Sequence, residues 1–418
     1  MLPVSIHYLL IVFAALALLG VIFEDVIHLD KAKVTLFFGT LSWLFLFIFQ
    51  SGVDADAVKE QFSESLTEIS QLWLFLIAAM TFVAYLNKKG MIQNMIYWIL
   101  PRKMSERRLV YLTGIFCFCF SSLADNITAT LVSVTLIMSL NLPRRKMIRL
   151  AALVVFAVNS GGVALITGDV TTLMIFLAGK VSVVDLLILS IPAGFSVLVL
   201  SMLLSRQMHG TIQLQYRPSA ARGVDVAIAV IFLSTILLTI IGNAIYGIPP
   251  VLTFLAGLAL MFLVSHAFDR EKEEDPILDY IRLIEFDTLL FFLGVLLLVG
   301  MLKEIGVLNG LLTVYQILPV EWANLAMGIM SSVIDNVPLT AALLKSGIDM
   351  SEGQWLMLTY AVGVGGSLLI IGSAAGIVAM SKIGGLTFGR YLRQLIPLCF
   401  AYGIGYLGTM AVANWWIS

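Results

Sequence analysis

Residues 121–130, SSLADNITAT, place an aspartate beside an asparagine in the middle of a long apolar run. Residues 331–340, SSVIDNVPLT, repeat this pattern 210 positions later and agree at five of the ten positions. Ionisable side chains at bilayer depth are rare and usually functional. Each stretch therefore predicts a polar tip that joins two half-helices inside a membrane.

The composition of the chain indicates an all-α polytopic membrane protein. Of its 418 residues 60% are hydrophobic and 12% are charged, with a mean hydropathy of +1.00. Soluble domains average about 45–50% apolar and about 25% charged residues. Apolar runs of about twenty residues recur along the chain, which is the length of a membrane-spanning helix. They lack the alternation of a transmembrane β-barrel strand.

Ten membrane spans are predicted, at residues 8–23, 34–51, 70–87, 147–178, 183–204, 223–242, 249–267, 284–302, 353–382 and 388–413. Two of them, 147–178 and 353–382, are too long for one plain helix and carry glycine and polar residues at mid-depth, so we expect broken helices there. The acidic tips lie in two further segments, 107–141 and 321–346, which read as re-entrant hairpins.

The distribution of basic residues fits ten spans with both termini outside. Only four of the 25 lysines and arginines then lie outside, and the other 21 lie in inside loops. This asymmetry is the one that the positive-inside rule describes. The outside residues are Lys59, Lys180, Lys303 and Lys345.

A second match indicates an internal duplication. Residues 161–168, GGVALITG, and 365–372, GGSLLIIG, agree at five of eight positions and are 204 residues apart. The chain then divides into a first repeat at 1–205, a cytoplasmic linker at 206–222 and a second repeat at 223–418. Five spans in each repeat is an odd number, so the repeats are expected to be inverted. Inverted repeats with discontinuous helices are typical of secondary transporters.

The polar residues of these segments form an oxygen-rich set. Hard cations such as Na⁺ prefer oxygen ligands, so we expect Na⁺ at the three carboxylates Asp125, Asp169 and Asp335. Asp169 has Ser373 as its counterpart in the second repeat, and the first half therefore carries more of the predicted liganding chemistry. Further candidate cation- or proton-binding residues are Asn126, Asn159, Thr171, Thr172, Ser331, Asn336, Ser367 and Ser373.

These carboxylates could bind either a cation or a proton, because both compete for the same oxygens. That chemistry suits exchange of Na⁺ for H⁺ and requires no cofactor. For Asp125 and Asp335 a structural role is open as well, since aspartate caps helix N-termini. The four histidines lie at predicted span ends, which disfavours a zinc or copper site.

Four stretches resemble the motifs of NhaD-type sodium/proton antiporters in the ion transporter superfamily: SSLADNITATL, GDVTT, SSVIDNVPLTA and GGSLLIIGSAAG. The resemblance implies Na⁺ or Li⁺ exchange for protons across a bacterial inner membrane by a homodimer. It also implies an elevator mechanism, in which a transport domain carrying the hairpins moves against a scaffold. It places functional polar residues at Asp125, Asn126, Asn159, Asp169, Thr171, Thr172, Ser331, Asn336 and Ser373. One departure is the run ALITGD, which lacks the proline expected before the Gly-Asp pair.

Two other functions fit parts of the sequence. One is Na⁺- or proton-coupled transport of a small carboxylate or oxyanion. The dicarboxylate carriers of the same superfamily, however, have Ser-Asn-Thr at their hairpin tips, where this chain has Asp-Asn-Ile and Asp-Asn-Val. The acidic tips, and an expected absence of lysine and arginine at mid-membrane, disfavour it. The other is an intramembrane aspartyl protease, an enzyme with two carboxylates that share a proton. The Gly-Asp pair here lacks the preceding glycine of that motif, so we expect no enzyme.

Overall fold

Helices make up almost all of the computed structural model. It describes residues 4–22, 24, 29–49, 55–99, 101–140, 142–213, 222–268, 278–282 and 284–416. In the first half of the chain the helices are α1 (Val4–Ile22), α2 (Lys31–Ile48), α3 (Ala55–Lys88), α4 (Met91–Ile99), α5 (Glu106–Leu123), α6 (Asn126–Ser139), α7 (Arg144–Gly162), α8 (Val170–Leu177) and α9 (Val183–Ser205).

The second half contains the same order of hairpin, broken helix and long final helix. Its helices are α10 (Gly223–Tyr246), α11 (Pro250–Phe268), α12 (Leu278–Ile281), α13 (Phe286–Glu304), α14 (Asn309–Ile317), α15 (Val320–Ser331), α16 (Asn336–Lys345), α17 (Glu352–Gly365), α18 (Ala374–Lys382), α19 (Phe388–Tyr391) and α20 (Leu395–Trp416). A 3₁₀ turn, Leu392–Gln394, joins the last two.

Eight of the described helical segments are long and apolar enough to cross a membrane. They coincide with eight of the ten predicted spans, and large apolar side chains such as Leu238, Leu263 and Ile396 cover their outer surface. The protein is therefore a multi-pass membrane protein. One predicted boundary was wrong, because α3 begins at Ala55 rather than near residue 70. With 34 residues this helix is about 51 Å long, so it exceeds the ~30 Å hydrocarbon core.

The other two predicted spans are interrupted, as the sequence suggested. Span 147–178 consists of α7, a non-helical stretch and α8, and span 353–382 consists of α17, a second such stretch and α18. Each segment predicted as a hairpin contains two consecutive helices, α5 and α6 in the first and α15 and α16 in the second.

A small β-sheet departs from the all-α prediction. Strand β1 (Lys103–Ser105) pairs antiparallel with β2 (Thr211–Gln213), with Lys103 opposite Gln213. β2 lies in the segment that was predicted to be a plain linker. Strands of three residues are too short to show an alternating apolar pattern, so the sequence carried no signal for them.

The hairpins and broken helices pack on one another to form the core. α5 lies against α7 and α15 lies against α17, while α6 packs on α18 and α8 packs on α16. The second arm of each hairpin thus contacts the broken helix of the other half of the chain. A separate pair, α2 and α13, packs along its length, and α16 also lies against α13.

The closest of these contacts requires glycine. A methyl group built at Gly161 would overlap the carbonyl of Phe118, and one built at Gly365 would overlap the carbonyl of Gly328. Backbone atoms cannot move aside as a flexible side chain can, so each glycine fixes how closely a hairpin approaches a broken helix.

We expect Gly365→Ala to destabilise the protein by about 1–3 kcal/mol, the cost of overpacking a close contact. The apparent melting temperature in detergent measures this. Gly403→Ala is the matched control, since a methyl group at Gly403 in α20 would meet no atom within 4 Å. Equal melting temperatures for the two variants would contradict the close-contact argument.

Candidate functional site

The first hairpin tip is organised by Asp125, the residue before α6. Its Oδ1 accepts a hydrogen bond from the backbone N–H of Thr128 at 2.9 Å, and its Oδ2 accepts one from Thr128 Oγ1 at 2.7 Å. The first N–H groups of a helix have no intrahelical partner, and aspartate satisfies them well. The capping role that the sequence left open for Asp125 is therefore present.

The second hairpin tip repeats this cap and adds an ion pair. Asp335 Oδ1 accepts a hydrogen bond from the N–H of Val337 at 3.1 Å. Asp335 Oδ2 lies 3.2 Å from Nζ of Lys31, the first residue of α2. The Lys31 ammonium also lies 4.5 Å from the ring centre of Phe291.

Asp169 stands at the first helix break, directly before α8. Its Oδ2 accepts hydrogen bonds from Thr171 Oγ1 at 2.9 Å and from Asn336 Nδ2 at 3.1 Å. The second bond joins the break to the opposite hairpin tip. Thr172 Oγ1 donates to the carbonyl of Gly162 at 3.2 Å, which satisfies one of the backbone groups freed at the end of α7.

Ser373 occupies the equivalent place at the second break. Its Oγ accepts from Asn159 Nδ2 at 3.0 Å, and the same nitrogen donates to the carbonyl of Val155 at 2.8 Å. Asn159 is fully buried, and its Oδ1 accepts no hydrogen bond from any described residue. A buried acceptor of this kind is rare because it loses its hydration without compensation.

Asn126 holds the first tip against the first break. With its amide oriented to suit its surroundings, Nδ2 donates to Ser121 Oγ at 2.8 Å, to the carbonyl of Gly168 at 3.1 Å and to that of Val158 at 3.2 Å. The tip, the break and α7 are thus tied together by one side chain.

These ends enclose a cavity of about 80 Å³. Six of the predicted residues line it: Asp125, Asn126, Asp169, Asp335, Asn336 and Ser373. A water molecule takes up about 30 Å³ in the liquid, so the cavity has room for a small ion with a few waters. The first residues of α6, α8, α16 and α18 all lie on its wall.

The other predicted residues lie outside this wall. Asn159 and Thr171 are each one hydrogen bond behind it, and Thr172 bonds to Gly162. Ser331 Oγ donates to the carbonyl of Val362 at 2.7 Å and Ser367 Oγ to that of Val364 at 2.6 Å. Those two serines satisfy backbone carbonyls and do not face the cavity.

Lys31 is the main residue that the sequence analysis missed. It lines the cavity, so the expected absence of lysine at the site was wrong. Its position at the start of an apolar run made it look like a loop residue. Within the described part of the chain, no three His, Cys, Asp or Glu side chains are grouped closely enough to hold a metal ion together. Asp125, Asp169 and Asp335 thus share one cavity without converging on one point.

Discontinuous helices whose ends bring carboxylates to one cavity inside a membrane protein are typical of the secondary-transporter class. A family model described as "Citrate transporter" matches residues 6–365. The Na(+)/H(+) antiporter NhaD of Vibrio cholerae is 33% identical over 95% of this chain and 90% of its own length. NhaD of Alkalimonas amylolytica is 30% identical, covering 99% and 92%. Sodium/proton antiporter 2 of Arabidopsis thaliana is also 30% identical, covering 94% and 97%.

The chain belongs to the NhaD family of sodium/proton antiporters. The family resemblance of its hairpin and break motifs is confirmed, and the relatives are transporters rather than enzymes.

Two substitutions can test the helix-capping role of Asp125 separately from its negative charge. We expect Asp125→Ala to lower the stability by about 1 kcal/mol, because the Thr128 N–H loses its acceptor. Asp125→Ser keeps an acceptor without a charge and should retain the wild-type apparent melting temperature. If both variants melt alike, the cap contributes nothing measurable.

Proposed function

We propose that this protein exchanges Na⁺ or Li⁺ for protons across the inner membrane of a bacterium. The observation that supports this most directly is the cavity with Asp125, Asp169 and Asp335 on its wall. Relatives over nearly the whole chain carry the name sodium/proton antiporter.

Four helix N-termini lie on the cavity wall, so the three aspartates determine whether the site attracts cations or anions. Helix N-termini carry partial positive charge and favour anions. Asp125, Asp169 and Asp335 reverse that preference, because each carboxylate brings a full negative charge to the end of a helix. The site then attracts a small cation.

The ion binds between the two hairpin tips and Asp169. Asp169 supplies a carboxylate on the cavity wall. Carbonyls freed at the two helix breaks complete an oxygen-only set, which Na⁺ prefers. Protons compete for the same carboxylate oxygens, and this competition couples the two fluxes.

The transport step is an elevator movement of the hairpins and broken helices. The topology proposed with it has ten spans, both termini outside, and inverted repeats at 1–205 and 223–418 joined by the linker 206–222. Eight continuous helices and two broken ones suit this count. The equivalent glycine contacts at Gly161 and Gly365 suit a duplication. α16, which lies between α8 and α13, is then a contact between the moving part and the scaffold. The active form is a homodimer.

The alternative function is coupled transport of a small carboxylate or oxyanion. The description of the matching family model, "Citrate transporter", and the presence of Lys31 in the cavity favour it. The Lys31 ammonium is already paired with Asp335, however, and two further carboxylates remain on the wall. The cavity of about 80 Å³ also suits a small ion better than a carboxylate with several anionic groups.

We expect Asp169→Asn to reduce Na⁺-driven proton release from everted membrane vesicles by at least about tenfold, because the coordinating carboxylate is lost. Even outer-shell partners of a metal change its affinity by about 10–100-fold. Dequenching of a pH-sensitive dye reports the flux on addition of Na⁺, Li⁺, K⁺, succinate or citrate. Asp349→Asn, a change at an exposed acid distant from the cavity wall, is the control.

The outcomes discriminate between the two functions. A response to Na⁺ or Li⁺ that is lost in Asp169→Asn and kept in Asp349→Asn supports the proposal. A wild-type response to succinate or citrate alone would replace it with the carboxylate alternative. Full activity of Asp169→Asn would remove Asp169 from the binding site.

A further inference from the structure

The ion pair between Lys31 and Asp335 joins two groups of helices that also touch where α16 lies against α13. Lys31 begins α2, which packs along α13, whereas Asp335 is at the tip of the α15/α16 hairpin. The two atoms are 3.2 Å apart, and the side chains are 18% and 6% exposed. Separating a pair this buried costs free energy, because it leaves a desolvated charge without a partner.

The Lys31 ammonium is held in place from the α2–α13 side. It lies over the ring of Phe291 in α13 at 4.5 Å, a cation–π arrangement. Asp30 caps the start of α2 through a 2.7 Å bond from the N–H of Ala32, which fixes the backbone that carries Lys31. α2 and α13 therefore set the position of the positive charge, and Asp335 at the tip of the second hairpin pairs with it.

The far end of α16 is tied in a similar way. Lys345 Nζ lies 2.8 Å from Glu68 Oε2 and 3.2 Å from Ser65 Oγ, both on α3. A further pair, Lys303–Glu64 at 3.3 Å, joins α13 to α3 and does not involve the hairpin. Lysine–carboxylate pairs thus hold α16 at both ends, and the Lys31 pair is the one inside the cavity.

We propose that Lys31 is a positioning residue for cation exchange: its tethered ammonium occupies Asp335 in place of a transported cation and docks the second hairpin tip on α2 and α13. This inference rests on the proposed function. The transported ion then binds at Asp169 and its neighbours instead of at Asp335. The Lys31–Asp335 ion pair separates each time the hairpin moves.

Removing the charge of Lys31 and removing that of Asp335 should therefore change the Na⁺ affinity in opposite directions. Removing the ammonium in Lys31→Met leaves Asp335 facing the cavity as an additional anion, so the KM for Na⁺ falls. Removing the carboxylate in Asp335→Asn leaves the ammonium unpaired beside the ion, so the KM rises. We expect each shift to be about fivefold, within the range measured for coupled charged neighbours.

The test is a double-mutant cycle on Na⁺-driven proton exchange in everted vesicles. It compares wild type, Lys31→Met, Asp335→Asn and the double variant, measuring KM for Na⁺ and maximal rate separately. The double variant should return to within about twofold of the wild-type KM, because neither charge remains. Lys31→Arg keeps the charge and should keep the KM. Lys303→Met, which breaks the pair between α3 and α13, is the matched control and should leave KM unchanged.

A merely structural lysine would lower the rate or the amount of protein without lowering the KM for Na⁺. If Lys31→Met does not accumulate in the membrane, Lys31→Gln takes its place in the cycle. A KM that is unchanged or raised on removing the ammonium, or a double variant whose KM stays more than about twofold from the wild-type value, overturns the role of Lys31 and leaves the exchange function standing. A wild type without Na⁺-driven flux overturns both.

Discussion

Helix ends inside a membrane protein leave backbone groups without intrahelical partners, and there is no bulk water to satisfy them. In this structure four such ends, the starts of α6, α8, α16 and α18, lie on one cavity. Asp125, Asp335 and Ser373 accept hydrogen bonds from the first N–H groups of their helices. This requirement places these three side chains in the apolar core, and the cavity is the space between the four helix ends.

Aspartate at a helix start has two physical effects. Aspartate is a good cap, and it also brings a negative charge that offsets the positive end of the helix. Asp125 uses both carboxylate oxygens on Thr128, whereas Asp169 makes no side-chain cap and bonds instead to Thr171 and Asn336. Asp169 is thus the acid whose carboxylate joins a helix break to the opposite hairpin tip.

The packing divides these helices into two groups that meet at α16. α2 lies along α13, while the hairpins and broken helices pack on one another, and α16 touches both groups. The ion pairs at the two ends of α16 stand across this contact. Any movement of the hairpin has to break these ion pairs, and their charged groups then need other partners or water. The free-energy cost of breaking the pairs determines how stable this arrangement is.

The sequence by itself determined the class of protein, the hairpins and the helix breaks, because apolar length, glycine pairs and isolated polar residues are local features of the chain. It also identified Asp125, Asp169 and Asp335, since carboxylates in apolar runs stand out without any knowledge of their neighbours. Only the tertiary structure decided how these acids are used. The ion pair of Lys31 with Asp335 joins residues 304 positions apart. Asn159 Nδ2 donates to Ser373 Oγ, whereas Asn159 Oδ1 has no partner among the described residues. Contacts of this kind depend on which helix ends meet in space, and no local pattern encodes that.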